Sequence, residues 1–211
     1  MSVDMDELRE RMTRVAHKLF LSGLIRASEG NISCRITSTG KILIKPSGFE
    51  MGDLAPTDFI VVDQKGNVME GKNRPSIETP MHLSIYKSRE DVGGIVHTHS
   101  TFASAFASSG VELLPVGITS LPILRGVPLA PYRLPGSRKL AMEAARTLGD
   151  KAAAILKNHG VLAVGRDIES AYRVASAVEE SARLQLFSTL IGKPRRFSVK
   201  EIQELLELGK A

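Results

Sequence analysis

Apolar residues recur at helical spacing over residues 5–22, where Leu8, Met12, Val15, Ala16, Leu19 and Phe20 share one face and Gly23 supplies a stop. A polar, turn-rich stretch, ASEGNIS (27–33), comes next. Short β-type runs follow at Lys41–Lys45, Phe59–Asp63 and Gly66–Met69, the first punctuated by Pro46-Ser47-Gly48. Thr79 and Pro80 read as a helix N-cap and first helical residue, because a first turn leaves unpaired the N–H that proline lacks. That helix should run to about Ser88. Gly93–His97 has the pattern of a strand, and Thr101–Ser109 that of a short helix ended by Gly110. Two irregular strands are expected near Leu114–Val116 and Val127–Ala130, ahead of a Ser137-capped helix over Arg138–Leu148 with Gly149 after it.

Ala152–Leu156 and Val161–Val164 flank a tight turn, Lys157-Asn158-His159-Gly160, as two strands of a hairpin would. Asp167 then caps a long helix to about Ile191, closed by Gly192 and Pro194, and Ser198 with Glu201 makes a capping box for a last short helix. Helices alternate with strands, yet hairpin connections are present too. The pattern predicts a mixed sheet with helices on both sides, not a strictly parallel one.

At 211 residues the chain fits a single domain, 1–211, and 43% hydrophobic content is enough for a substantial core. No apolar run approaches the roughly 18–20 residues of a membrane helix. The start, MSVDMDELRE, is acidic and lacks the apolar core of a secretory signal, and a lone Cys34 excludes an internal disulfide framework. A cytoplasmic location is the expectation. The net charge of +5 permits an anionic partner, but the basic residues are scattered, and the one tight cluster is Lys193, Arg195 and Arg196. With aromatics at 5% and no Trp, base-stacking platforms are scarce, so the balance suits a small anion such as a sugar phosphate better than a nucleic acid.

The first chemical signal is His97-Thr98-His99: on an extended chain, residues i and i+2 face one side, so both imidazoles converge. Alone the pair is a weak signal, because zinc needs three or four ligands. His159 at a predicted hairpin tip, where Gly160 permits an unusual backbone conformation, adds a third imidazole. Glu78, just before a proline-initiated helix, adds a carboxylate near the positive end of the helix dipole. Taken together, the four are better explained by one zinc site, with Glu78 a proton-transfer group beside it, than by four structural roles. His17, within the first helix, and His82 read as structural or exposed. The turns Gly30-Asn31-Ile32-Ser33, Pro46-Ser47-Gly48 and Pro75-Ser76 offer backbone N–H groups and side-chain donors that can form an anion-binding concavity.

SEGNIS (28–33), IKPSG (44–48), RPSIETPMHLSIY (74–86), GGIVHTHS (93–100), APYRLPGSRKL (130–140) and ILKNHGVLAVG (155–165) carry a resemblance to the class II aldolase/adducin family, over roughly Met5 to Leu208. The resemblance implies a three-layer α-β-α sandwich on a mixed, largely antiparallel central sheet, and a homotetramer with active sites between subunits. It also implies one Zn2+ per subunit, with another divalent metal as the alternative, held by His97, His99 and His159, with Glu78 a ligand at rest and an acid/base in turnover. Gly30, Asn31, Ser47, Gly48 and Ser76 match the family's phosphate-binding positions. The implied activity is reversible cleavage of a ketose 1-phosphate, nominally L-fuculose 1-phosphate, to dihydroxyacetone phosphate and an aldehyde. A metal-stabilised enediolate is the intermediate, the cation acting as Lewis acid.

This chain departs from the family pattern at three places. Ile77 stands where a second phosphate-site Ser is expected, Pro115–Leu124 contains no tyrosine to protonate the aldehyde oxygen, and a C-terminal aromatic gate is reduced to Phe197. The alternatives within the family are a 5-methylthioribulose-1-phosphate dehydratase and a related pentulose-phosphate aldolase. A ribulose-phosphate 4-epimerase is disfavoured, since that branch carries Asp where this chain has Glu78. A non-enzymatic, adducin-like assembly domain is disfavoured by the intact histidine set.

Overall fold

The computed structural model describes residues 5–123 and 125–208. Among these the chain runs α1 (Met5–Leu21), β1 (Asn31–Arg35), β2 (Ile42–Ile44), β3 (Ile60–Val62), β4 (Val68–Glu70), α2 (Thr79–Ser88), β5 (Gly94–Thr98) and α3 (Thr101–Ser109). It continues through β6 (Leu129–Ala130), α4 (Arg138–Leu148), β7 (Ala153–Leu156), β8 (Gly160–Gly165), α5 (Ile168–Ile191) and α6 (Val199–Leu208). The strands form one sheet in the order β4-β3-β2-β1-β5-β8-β7-β6. Every neighbouring pair is antiparallel except β6 with β7. This is the expected mixed, largely antiparallel sheet.

The period-2 alternation of strand side chains divides the core in two. Val96, Ala153, Ile155, Val161 and Ala163 point to one face, where they pack with Met12 and Leu19 of α1, Phe106 of α3 and Ala171, Ala175 and Val178 of α5. Ile95, Ala154, Leu156, Leu162 and Val164 point to the other, against Met81 and Ile85 of α2 and Leu140 and Ala144 of α4. The buried α5 positions, Ala171, Val174, Ala175, Val178 and Ala182, recur at spacings of three and four, which lays one stripe of the helix on the sheet. Three layers follow: α1, α3 and α5, then the sheet, then α2 and α4.

Local signals fix the helix ends. Ser137 Oγ accepts from Leu140 N at 3.1 Å, and Asp167 accepts from Ser170 N at 2.7 Å. The Ser198–Glu201 box closes in both directions, at 2.7 and 3.2 Å. Four expectations need correction. The stretch Asn31-Ile32-Ser33 is not a turn but the start of β1, an interior strand whose polar residues face α2 and find partners there. Leu114–Val116 is not a strand: only Leu113 bridges to Val127, Leu114 N donates to Gln185 Oε1 of α5, and Pro115 has no N–H for a ladder. Helix α2 starts one residue earlier than expected, with Glu78 rather than Thr79 as N-cap. Phe20 lies at the rim of the α1 stripe and is exposed.

Candidate metal centre

Three element ends converge at one edge of the sheet. His97 is the penultimate residue of β5, paired across from Asn31 of β1 on one side and Leu162 of β8 on the other. His99 follows the strand and precedes α3, while His159 occupies the turn between β7 and β8. The unusual backbone in that turn belongs to Asn158, with φ of 54°, and not to Gly160 as the sequence suggested. Gly160 serves a different purpose. A Cβ there would fall 2.2 Å from the Thr98 carbonyl oxygen and 2.8 Å from His99 Cδ2, so its bare backbone lets the turn close against β5.

Glu78 reaches the same point from the N-terminus of α2. His97 Nε2 lies 3.1 Å from His99 Nε2 and 3.1 Å from Glu78 Oε2, while His159 Nε2 lies 3.3 Å from Glu78 Oε1. Ligands about 2.0–2.1 Å from a tetrahedral ion stand roughly 3.3 Å from one another, and these three contacts are close to that separation. The three histidines present ligand atoms all within 4.8 Å of one another. His97 Nδ1 donates to the Val161 carbonyl at 2.8 Å, which leaves the Nε2 lone pair facing the cluster. Among the described residues Glu78 Oε1 is buried without a hydrogen-bond donor, an orphaned anionic oxygen that a cation would satisfy. The residues present fit a divalent metal.

The electrostatics point the same way. Burial pulls the Glu78 carboxyl upward, but His97, His159 and the Asn31 amide outweigh it and hold the group well below the usual carboxylate range. Burial lowers His97, and the Glu78 carboxylate overcomes that and raises it. His99 and His159 are pushed down to about 4, first by burial and then by positive charge on His97. Two neutral imidazoles therefore stand beside an ionised carboxylate that needs one source of positive charge. A bound cation would supply it.

Around this centre the loops expected to form an anion cradle are tied together by backbone contacts. Ser47 N donates to Arg74 O at 2.8 Å and Ser76 N to Lys45 O at 3.2 Å, with Pro46 bridged to Pro75. Ser47 and Gly48 are exposed, Ser76 is buried, and Ser76 Oγ accepts from Glu78 N at 3.3 Å. Gly30, at φ of 62°, packs so closely under the end of β5 that a Cβ would come 2.6 Å from the His97 carbonyl oxygen. Asn31 is turned toward the carboxylate: its Nδ2 donates to Glu78 Oε2 at 2.9 Å. Ile77, between the two, is 67% exposed, so the missing hydroxyl leaves an apolar surface at the rim.

One residue of this region was passed over in the sequence. Lys45 is 98% buried, its Nζ directed at Ser28 O and Pro46 O at 3.3 Å each, and burial lowers its pKa to about 8. Its position inside the IKPSG run was the available signal. His82, expected to be structural or exposed, is fully buried between Asn31 and Ser33. His17 lies along α1 with Nε2 3.0 Å from Leu54 O, away from the centre.

Residues 10–186 match the model of the class II aldolase and adducin N-terminal domain. A 5-deoxy-D-ribulose 1-phosphate aldolase of Bacillus thuringiensis serovar kurstaki is 36% identical over 197 residues, spanning 93% of this chain and 92% of the relative. An L-fuculose phosphate aldolase of Methanocaldococcus jannaschii is 33% identical, over 88% of this chain and 99% of the relative. Among solved structures, an L-fuculose 1-phosphate aldolase superposes with a TM-score of 0.92 at 28% identity, covering 97% of both chains. The chain belongs to the class II aldolase and adducin family, and within it to the lyases of the aldolase type.

Proposed function

We propose that this chain is a zinc-dependent aldolase that cleaves a ketose 1-phosphate reversibly to dihydroxyacetone phosphate and an aldehyde. The observation that carries the reading is the meeting of three imidazoles and one carboxylate, with three contacts among them at 3.1–3.3 Å and the three imidazole nitrogens within 4.8 Å of one another, a spacing that suits a zinc site. His97, His99 and His159 hold the metal, and Glu78 completes the resting set. When bound, the cation supplies Lewis acidity at the ketone oxygen, where the electrons of the breaking C3–C4 bond collect.

The chain's own residues do the rest. Overall, cleavage moves one proton from the C4 hydroxyl to C3, and Glu78 is the group that delivers it to C3 and removes it in the condensation direction. Gly30, Asn31, Ser47, Gly48 and Ser76 bind the phosphate, with the Lys45 charge buried between their loops. Ile77 gives the phosphate one donor fewer. The active unit is a homotetramer with the sites between neighbouring subunits.

The relatives direct the choice of substrates. L-Fuculose 1-phosphate would release a three-carbon aldehyde, and 5-deoxy-D-ribulose 1-phosphate a two-carbon one, both leaving dihydroxyacetone phosphate. Purified zinc-loaded protein is assayed on the two, scoring aldehyde and dihydroxyacetone phosphate separately from any product of water loss. Equal yields of aldehyde and dihydroxyacetone phosphate are expected. Water loss without C–C cleavage would replace the aldolase reading by a dehydratase.

A further inference from the structure

Helix α2 lies over the face of β1 that carries Asn31 and Ser33, and its residues Glu78, His82 and Tyr86 are spaced four apart. Four residues of helix advance about 6 Å and two residues of strand about 6.8 Å, so the two rows run in step. The result is a buried chain of five side chains. Tyr86 Oη stands 2.9 Å from Ser33 Oγ, Ser33 Oγ 2.6 Å from His82 Nδ1, His82 Nε2 2.5 Å from Asn31 Oδ1, and Asn31 Nδ2 2.9 Å from Glu78 Oε2. All five are at least 95% buried, so none of these groups exchanges its partner for bulk water.

One direction of donation satisfies the whole chain. A carboxylate only accepts, so the Asn31 amide must turn its NH2 to Glu78 and its oxygen to His82. That oxygen accepts, so His82 must carry its proton on Nε2. Nδ1 is then an acceptor, Ser33 donates to it, and Tyr86 donates to Ser33. The opposite tautomer would put the Asn31 oxygen against the Glu78 carboxylate, acceptor against acceptor.

Resting on the reading of Glu78 as acid/base, we propose that His82, as its Nε2–H tautomer, is a positioning residue that locks Asn31 and through it anchors Oε2 of Glu78. The anchor makes the two carboxylate oxygens unequal. Oε2 is held by Asn31, while Oε1 has no donor among the described residues and is the oxygen that carries the proton. Among the described residues Asn31 Nδ2 donates to Glu78 Oε2 alone, which leaves its second N–H for the phosphate, so one residue aligns substrate and acid/base together.

The direct test is the His82 tautomer in zinc-loaded, 15N-labelled protein, assigned by loss of its signals in His82→Gln. A protonated Nε2 with an unprotonated Nδ1 is expected; an Nδ1–H tautomer or an imidazolium overturns the proposal. Kinetics supply a second test. His82→Leu keeps volume without a donor, and kcat should fall about 10–100-fold, the usual effect of removing a partner behind a metal site. Zinc content should hold, and KM should rise in addition because Asn31 also meets the phosphate. His82→Gln, whose amide reaches the ε position with an N–H, should recover most of the rate. Parent-like kcat in His82→Leu, a change confined to KM, or no recovery in His82→Gln would each sink the idea. A parent protein that cleaves no ketose 1-phosphate would remove the proposed function instead, and the tautomer would still decide the role of His82.

Discussion

The proposed function gives Glu78 two roles, and substitution separates them. Three imidazoles keep most of the affinity for zinc without a fourth ligand, so Glu78→Gln should still contain about one zinc per chain. Glutamine matches the shape and can still accept from Asn31 through its amide oxygen, yet it cannot take up the proton. The chemical step should slow by roughly 10²–10⁴-fold. Exchange of the carbon-bound proton of dihydroxyacetone phosphate in deuterated water reads this directly and needs no aldehyde. Parent protein should exchange and the variant should not; exchange retained in the variant would assign the proton to another base. His97, His99, His159 and Glu78 were readable as candidates because each sits at an element end and the His97/His99 pair shares one strand face, while their joining into one site leaned on the family resemblance. The partners behind them were not. Whether His82 faces solvent or Asn31 depends on which side of α2 lies on β1, and no local spacing states that.

At the scale of elements, boundaries set by caps were readable and those set by tertiary contacts were not. Arg138–Leu148 and Thr101–Ser109 have the ends the sequence predicts, since Ser137, Gly149 and Gly110 act within one turn. Strand β1 was hidden because Asn31 and Ser33 are polar for the sake of partners on another element. Helix α3 shows a further tertiary device. Its N-cap, Ser100, makes no side-chain bond to the first turn; instead the Glu179 carboxylate of α5 accepts from Phe102 N at 2.9 Å and Ala103 N at 2.8 Å. The negative charge also complements the positive end of the α3 dipole. Two charge-assisted bonds are lost in Glu179→Ala, which should lower stability by about 1.5–3 kcal/mol in urea denaturation. Since α3 begins two residues after His99, zinc affinity should fall in the same variant while Glu78 is untouched. Unchanged stability and zinc binding would mean that the α3 start is held by other contacts.

The whole molecule presents apolar surface that its own layers leave uncovered. Leu184, Phe187 and Leu190 are three apart along the C-terminal half of α5, Ile191 lies four beyond Phe187, and the four are 36%, 49%, 72% and 88% exposed. Scattered exposed apolar residues are ordinary, but a row on one helix is what a protein interface requires. His99 is only partly buried and Ile77 mostly exposed, so one side of the metal centre also lies open in a single chain. Both features support an assembly in which neighbours cover the helix row and close the sites. For the proposed homotetramer, light scattering should give a mass about four times the 22.9 kDa of one chain. Leu190→Asp combined with Ile191→Asp places two charges in that row and should shift the mass downward, because unpaired charge is costly to bury at a contact. Activity should fall with the mass if the sites are shared between subunits. A monomer with full activity would refute the shared site, and the metal centre would then have to work with the residues of one chain alone.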